Sequence, residues 1–365
     1  MNTIGNIIKL TFFGESHGET MGVIIDNLPA GIKIDPTGID SWLEKRRPKS
    51  SLSTSRSELD EWKIVSGYLD DHTTSAALAV LIKNTKMQSE DYEPLRFVPR
   101  PGHADFPAYS KYAGYNDPRG GGIFSGRLTV LWMIVGAIAE QILAQKNIAV
   151  FSHISSIKDI KDVVFANDLL NDEFVNMLKS SSFPVIDSVI SQQMKKLILN
   201  AKSMGDSVGG TVETIVVGLP AGVGEPLFAS CESVLSFNLF SIPGIKAIEF
   251  GTGFEITEKY GSEANDPYFY SEGKVITKTN NNGGIIGGLT TGMPLVFRSA
   301  IKPTSSIAIN QNSVNLQTKK DVEIMVTGRH DPCIVPRVVH VINAVTSYTI
   351  LDLLNLSVSG LRGDT

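Results

Sequence analysis

A chain of 365 residues with 42% apolar side chains is long enough for one large folded unit, or two modest ones, around a sizeable core. Its formal charge of −5 gives no basic field for nucleic acid or anionic lipid, so an anionic ligand must be held by local arginine and lysine clusters, and the expected partner is a small molecule. Cys231 and Cys333 alone make neither a disulfide framework nor a paired zinc site, which fits a reducing, cytoplasmic setting.

The N-terminal stretch MNTIGNIIKLTFFGESHG has no long apolar run ending at a small-residue cleavage site and does not read as a signal peptide. Ile7 to Phe13 and Val23 to Leu28 are short apolar runs, predicted as two strands joined by the polar, glycine-bounded loop Gly14-Glu15-Ser16-His17-Gly18-Glu19. A helix is predicted from Pro36 to Arg47, with Ile39, Trp42 and Leu43 at helical spacing, then a short strand at Lys63 to Gly67 and a second helix from about Thr73 to Lys83. Glu90 to Gly126 is rich in Pro, Gly, Tyr and Asp; a structureless connection of that length is uncommon unless it builds a site.

Arg127 to Gln145 is apolar on nearly all sides, as expected of a helix enclosed by other layers. Its densest apolar run, Leu128 to Ala139, falls short of the roughly 20 residues that span a bilayer, so no membrane association is expected. Further helices are predicted at Ser188 to Lys202, Ala229 to Phe240 and Arg337 to Leu354, and strands at Thr211 to Leu219 and Ile245 to Phe250.

Residues 14–31, GESHGETMGVIIDNLPAG, align without gaps to residues 205–222, GDSVGGTVETIVVGLPAG, with nine of eighteen positions identical. Chance enrichment of turn residues is one explanation. The other is an ancient duplication, with halves at about 1–150 and 190–365 forming similar layers around an apolar helical middle. Only the first copy carries a histidine, His17, where the second has Val208.

Of six histidines, His17 in GESHG, His103 in RPGHAD and His330 in GRHDPC lie in glycine- or proline-bounded loops beside acids or arginines. Loops on a rigid scaffold are where proton-transferring imidazoles usually sit. His72, His153 and His340 read as structural. There is no His-x-x-x-His pair, Cys pair or calcium-type loop, so no metal site is expected. GESHG matches a serine nucleophile elbow only in letters, because a strand and not a helix follows Gly18.

Gly120-Gly121-Gly122-Ile123-Phe124-Ser125-Gly126-Arg127 runs into the apolar helix, where Ser125 could cap it and free backbone N–H groups could face an anion. Lys302-Pro303-Thr304-Ser305-Ser306 sets a cation beside three hydroxyls, and Asn280 to Gly292 offers a second flexible cradle. Arg46, Arg47, Arg56, Arg100, Arg119, Arg127, Arg329 and Arg337 nearly all fall in or beside these motifs, where guanidinium forks can clamp carboxylates and phosphates. Taken alone, these residues indicate an enzyme acting on a multiply anionic small molecule through histidine acid/base chemistry.

Together, GESHG at 14–18, RRP at 46–48, RPGHAD at 100–105, GGG-x-FSGR at 120–127, GDSVGG at 205–210, GG-x-x-GG at 283–288, KPTSS at 302–306 and GRHDPC at 328–333 resemble the chorismate synthase family over essentially the whole chain. The resemblance implies a single α+β domain, 1–365, in which two antiparallel sheets enclose a central helical layer, assembled as a homotetramer. It implies a lyase that removes phosphate from 5-enolpyruvylshikimate 3-phosphate by anti 1,4-elimination to give chorismate, with reduced FMN and no net redox change. His17 would protonate the departing phosphate, His103 would stabilise or protonate the reduced flavin, and Asp331 would relay the substrate-derived proton. Ser16, Arg46, Arg127 and Arg337 would hold substrate anions. FMN would be contacted by Ile123, Phe124, Ser125, Asn238, Gly287, Lys302, Pro303, Thr304, Ser305, Ser306 and Arg329. Some members reduce their own flavin with NADPH; Arg46 would then be the NADP contact. Many members read Arg-Ser-Ser where this chain has Ile123-Phe124-Ser125, which removes a charge at the flavin phosphate. The rival readings are a flavin reductase without lyase chemistry and a non-catalytic flavin- or phosphate-binding scaffold.

Overall fold

The computed structural model describes residues 2–47, 52, 60–84, 96–165, 170–326 and 330–359. Its first half runs β1 (Thr3–Ile4), β2 (Lys9–Phe13), β3 (Thr20–Asp26), α1 (Pro36–Arg46), β4 (Trp62–Ser66), β5 (Tyr68–Leu69), β6 (His72–Thr73), β7 (Leu78–Lys83), α2 (Asp105–Tyr112) and α3 (Thr129–Ala144). The second half holds β8 (Ala149–Ile157), β9 (Ile160–Lys161), α4 (Asp172–Ser180), α5 (Ser188–Ser203), β10 (Gly210–Val217), α6 (Cys231–Leu239), β11 (Ile245–Phe250) and α7 (Gly261–Ala264). There follow β12 (Tyr268–Ser271), β13 (Lys274–Thr277), β14 (Ile285–Ile286), β15 (Leu289–Thr290), β16 (Leu295–Ile301), β17 (Gln311–Asn315), β18 (Lys320–Ile324) and α8 (Val335–Ser359).

Two five-stranded antiparallel sheets carry the architecture, ordered β1-β2-β3-β7-β4 and β11-β16-β10-β8-β9. Both segments of the internal match fold alike: each is a glycine-bounded loop leading into the central strand of its sheet, β3 in one and β10 in the other. The connectivity is shared as well. In each half a strand pairs with the central strand, a helix crosses to an edge strand, and the next long strand inserts between edge and centre, giving β2-β3-β7-β4 and β8-β10-β16-β11.

A long apolar helix follows each sheet, α3 after the first and α8 after the second, and the two pack against one another. Thirteen of the sixteen residues of α3 are buried, as its all-round apolar sequence requires. It touches β3 and β8, one strand from each sheet, while α8 lies on β8 and β10. Gly136 brings the helices together: a β-carbon there would lie 2.4 Å from the Cα of Ala344. Gly126–Ala144 and Val335–Ser357 are long and apolar enough to cross a bilayer, a length the run Leu128 to Ala139 understated, but 67% and 83% of their apolar windows are buried inside the fold.

The start of α1 follows its sequence signals: Asp35 accepts from the N–H of Thr37 and Pro36 occupies the first turn. Arg47 leaves the helix with ψ of 143°, as the following proline requires. The helix expected from Thr73 to Lys83 is instead β6, a turn and β7. Leu78, Val80 and Ile82 point into the core at strand spacing, and β7 is paired on both sides, which overrides the helix propensity of its alanines. The stretch expected to lack elements contains α2, and α4 went unmarked in the sequence.

Candidate functional site

The His17 loop lies between β2 and β3. Gly18 N–H donates to the Glu15 carbonyl and Ser16 N–H to the Gly122 carbonyl at 3.3 Å, which ties the loop to the glycine run ahead of α3. Gly120, Gly121 and Gly122 all have positive φ (59°, 85° and 53°), a backbone path that side chains resist. At Gly120 that path presses on the imidazole of His17, itself only 3% exposed. Ser125 does not cap α3 directly; its hydroxyl accepts from Arg127 N–H at the 3-10 turn Gly126–Leu128 that runs into the helix.

His103 sits on the turn before α2. Asp105 fixes that turn by accepting from the backbone N–H of Arg100 and from both Nε and Nη2 of its guanidinium, at 2.8–3.0 Å. The His103 Nε2 lies 2.7 Å from Ser306 Oγ. Burial, reinforced by the charges of Arg100 and Lys302, pushes the His103 pKa down to about 4, although Asp105 pulls the other way. Burial alone would raise Asp105; the hydrogen bonds and charge of Arg100 outweigh it and hold the carboxyl below its usual range. Lys302 closes the turn by donating to Gly102 O and, at 2.9 Å, to Ser305 Oγ. Burial, with Lys246 nearby, lowers its pKa.

Asp331 and Arg337, either side of the start of α8, form an ion pair at 2.6 Å. Arg337 Nε also donates to the Arg46 carbonyl, so the end of α1 and the start of α8 are joined. Buried Arg46 donates to Thr129 Oγ1 and to the carbonyls of Gly126 and Arg127, at the head of α3. Arg127 pairs with Asp60 and reaches Asn84 Oδ1.

These parts meet in one cavity of about 900 Å³, lined by His17, His103 and Asp331 together with Ser16, Arg46, Arg127 and Arg337. Ile123, Phe124, Ser125, Lys302, Pro303, Thr304 and Ser305 line it as well. Ser306 stands behind His103, to which it is hydrogen-bonded. His330, the third loop histidine, lies near enough that its charge helps to lower the His103 pKa. Asn238 and Gly287 are not among the lining residues: Asn238 is buried and donates to Thr349 of α8, and Gly287 lies in the tight turn between β14 and β15. Arg329 lies outside the described residues.

Among the described residues, seven cationic side chains line the cavity (Arg46, Arg47, Arg96, Arg100, Arg127, Arg337 and Lys302) against four aspartates (Asp60, Asp105, Asp117 and Asp331). A positive cavity in a chain of charge −5 is built for an anion. No cluster of metal-ligating side chains occurs among the described residues. Asp60, Asn84, Asp117 and the turn Ser241–Gly244 also line the cavity, and the sequence did not single them out. Asn84 had a signal, the polar residue ending an apolar run, which was lost once that run was read as helix.

A family model described as chorismate synthase matches residues 8–355. The chain is 44% identical over 351 residues to the chorismate synthase of Pyrococcus abyssi, covering 96% of each. It is 41% identical over 350 residues to that of Thermococcus kodakarensis, again 96% of each, and 42% identical over 358 residues to that of Korarchaeum cryptofilum, 98% of each. A solved structure titled Crystal Structure of Chorismate Synthase superposes with a TM-score of 0.74 at 23% identity, covering 98% of this chain and 94% of that one, and shares its fold. With its profile match and its relatives in agreement, the chain belongs to the chorismate synthase family and is a lyase.

Proposed function

We infer that the protein forms chorismate from 5-enolpyruvylshikimate 3-phosphate by anti 1,4-elimination of phosphate, with reduced FMN bound in the cavity. The observation that carries this reading is the convergence of His17, His103 and Asp331, from three distant loops, on one cavity with an excess of cationic side chains.

The residues present fit a phosphorylated flavin. Thr304 Oγ1 is buried in the cavity lining and has no hydrogen-bond partner among the described residues, so it is left to a ligand. Ile123, Phe124 and Ser125 from one side and Lys302, Pro303, Thr304, Ser305 and Ser306 from the other would hold the group, Ile123 through its backbone. Reduced FMN supplies an electron-rich partner for the loss of a ring hydrogen that no ordinary side-chain base could remove.

The chain's own groups divide the remaining work. Ser16, Arg127 and Arg337 orient the anionic substrate, with two-point guanidinium contacts to carboxylate and phosphate. Arg46 contributes by holding the head of α3 as well as by lining the site. His17 donates a proton to the departing phosphate, whose growing charge the surrounding arginines offset. His103, neutral at physiological pH, offers a hydrogen bond without adding charge. Asp331, held by Arg337, relays the substrate-derived proton onward rather than abstracting it from the ring. The enclosed helices α3 and α8 keep this constellation rigid.

Anaerobic incubation with 5-enolpyruvylshikimate 3-phosphate and photoreduced FMN tests the reading: phosphate and chorismate should appear in equal amounts, and absence of phosphate release would end it. Mixing with NADPH and oxidised FMN asks whether the protein also reduces its own flavin, in which case Arg46 is the proposed NADP contact. We further infer one domain over residues 1–365, descended from a duplication, on the strength of the matched segments and the shared strand order. The same reading makes the protein a cytoplasmic homotetramer, measurable as mass in solution.

A further inference from the structure

Asn84, at the end of β7, is bound on two sides. Its Nδ2 donates to the carbonyls of Gly18 at 2.6 Å and Glu15 at 3.3 Å, the two residues that bracket Ser16 and His17. Its own backbone N–H donates to the Glu19 carbonyl, which continues the pairing of β3 with β7. With both amide hydrogens directed at carbonyls, the side-chain orientation is fixed, and Oδ1 is left facing Arg127 Nη2 at 3.5 Å. Arg127 is held from its other arm by buried Asp60. One amide therefore spans the histidine loop and an arginine that lines the same cavity.

We propose that Asn84 is a positioning residue that sets His17 and Arg127 relative to one another across the bound substrate. The inference rests on the proposed roles of His17 as proton donor and Arg127 as substrate anchor. A loop of six residues, Gly14 to Glu19, between two strands has few constraints of its own. Glu15 O and Gly18 O converge on Nδ2 only when the loop is folded as it is here, so the amide selects that conformation. Because Oδ1 is covalently tied to the same group, a shift of the loop also displaces the acceptor in front of Arg127. Misplacement of reacting groups by about 1 Å can cost about a hundredfold in rate, so one amide is enough to matter.

The two halves of the side chain can be separated by substitution. Asn84→Asp keeps the volume and an acceptor for Arg127 but removes both donations to the loop. It is expected to lower kcat by about 10- to 100-fold with KM little changed. Asn84→Ala removes both functions and should lower kcat to a similar degree while raising KM several-fold. Steady-state kinetics under anaerobic conditions with reduced FMN, on variants whose thermal midpoints match wild type, give this split.

The decisive measurement is the cycle of Asn84→Asp with His17→Ala. If Asn84 acts through His17, the double variant turns over no more slowly than His17→Ala alone. Effects that multiply, or wild-type kcat in Asn84→Asp, would overturn the proposal. A wild-type rate in His17→Ala would instead remove the proton-donor role, and Asn84's action through it, so the two failures are told apart.

Discussion

A β-carbon placed on Gly120 would stand 2.2 Å from both Cε1 and Nδ1 of His17, so the glycine run ahead of α3 forms the wall against which the imidazole rests. Gly120→Ala should therefore push His17 from its place, and the positive φ of 59° adds about 1–2 kcal/mol of backbone strain. The expected outcome is turnover reduced at least about tenfold in a protein that still folds, a loss no larger than that of His17→Ala if the histidine is the group displaced. Wild-type turnover in Gly120→Ala would show that the contact is incidental.

His17→Ala and His103→Ala are each expected to fold and to turn over about a hundredfold more slowly, the usual consequence of removing an acid/base group at His17 and a preorganised hydrogen-bond donor at His103. Pre-steady-state rates with reduced FMN measure this apart from product release. A wild-type rate in either variant would withdraw that residue from the mechanism.

The depressed pKa of His103 has a sign that can be checked. The folded state disfavours the imidazolium, so an unfolded chain takes up this proton first, near pH 6.5, and the folded one only near pH 4. His103 therefore contributes nothing to pH dependence above about pH 7 and lowers stability progressively as pH falls from about 6.5 toward 4. NMR titration of the ligand-free protein should find this imidazole neutral at pH 5.5; a midpoint near 6.5 would contradict the burial argument. Denaturant titrations of wild type and His103→Gln at pH 7 and pH 5 should show the variant losing less stability on acidification.

Outside the cavity, His153 of β8 is fully buried between Asp162 and Glu213, 2.9 Å from each. Burial opposes its charge, but the two carboxylate hydrogen bonds prevail and raise its pKa. Burial would also raise Asp162; hydrogen bonds from His153 and from the N–H groups of Ile186 and Asp187 lower it instead. The stabilisation from His153 is thus full below its unfolded pKa near 6.5 and is lost as pH rises through the elevated folded value. That from Asp162 is present above the ordinary carboxylate range and is lost as pH falls through its depressed value. His153→Ala leaves two buried acids without their cation and is expected to cost about 3–5 kcal/mol, read from denaturant unfolding. Turnover at low temperature should be retained, because none of the three lines the cavity.

The contact between α3 and α8 leaves no space for a larger residue. Gly136→Ala would set a methyl group 2.4 Å from Ala344 Cα, and overpacking of that kind costs about 1–3 kcal/mol. A lower unfolding midpoint is expected; an unchanged one would mean that the helices separate without cost.

Much of this protein was determined locally, by its sequence alone. The loops GESHG and RPGHAD, the proline- and aspartate-defined start of α1, the all-round apolar α3 and the repeated LPAG segments each follow from the residues within a few positions, because capping, turn chemistry and periodicity act over that range. Tertiary structure decided what depends on partners far away in the chain. It made Leu78–Lys83 a strand, since β3 and β4 flank it, and so brought Asn84 under the His17 loop. It gave Arg46 to the head of α3, set Ser306 behind His103, paired Asp60 with Arg127 and kept Asn238 in the packing of α6 against α8. Sequence shows which groups can form such bonds, but desolvation and hydrogen bonding among groups 60 to 300 residues apart exist only after the chain has folded, and those contacts turn a set of motifs into one charged cavity.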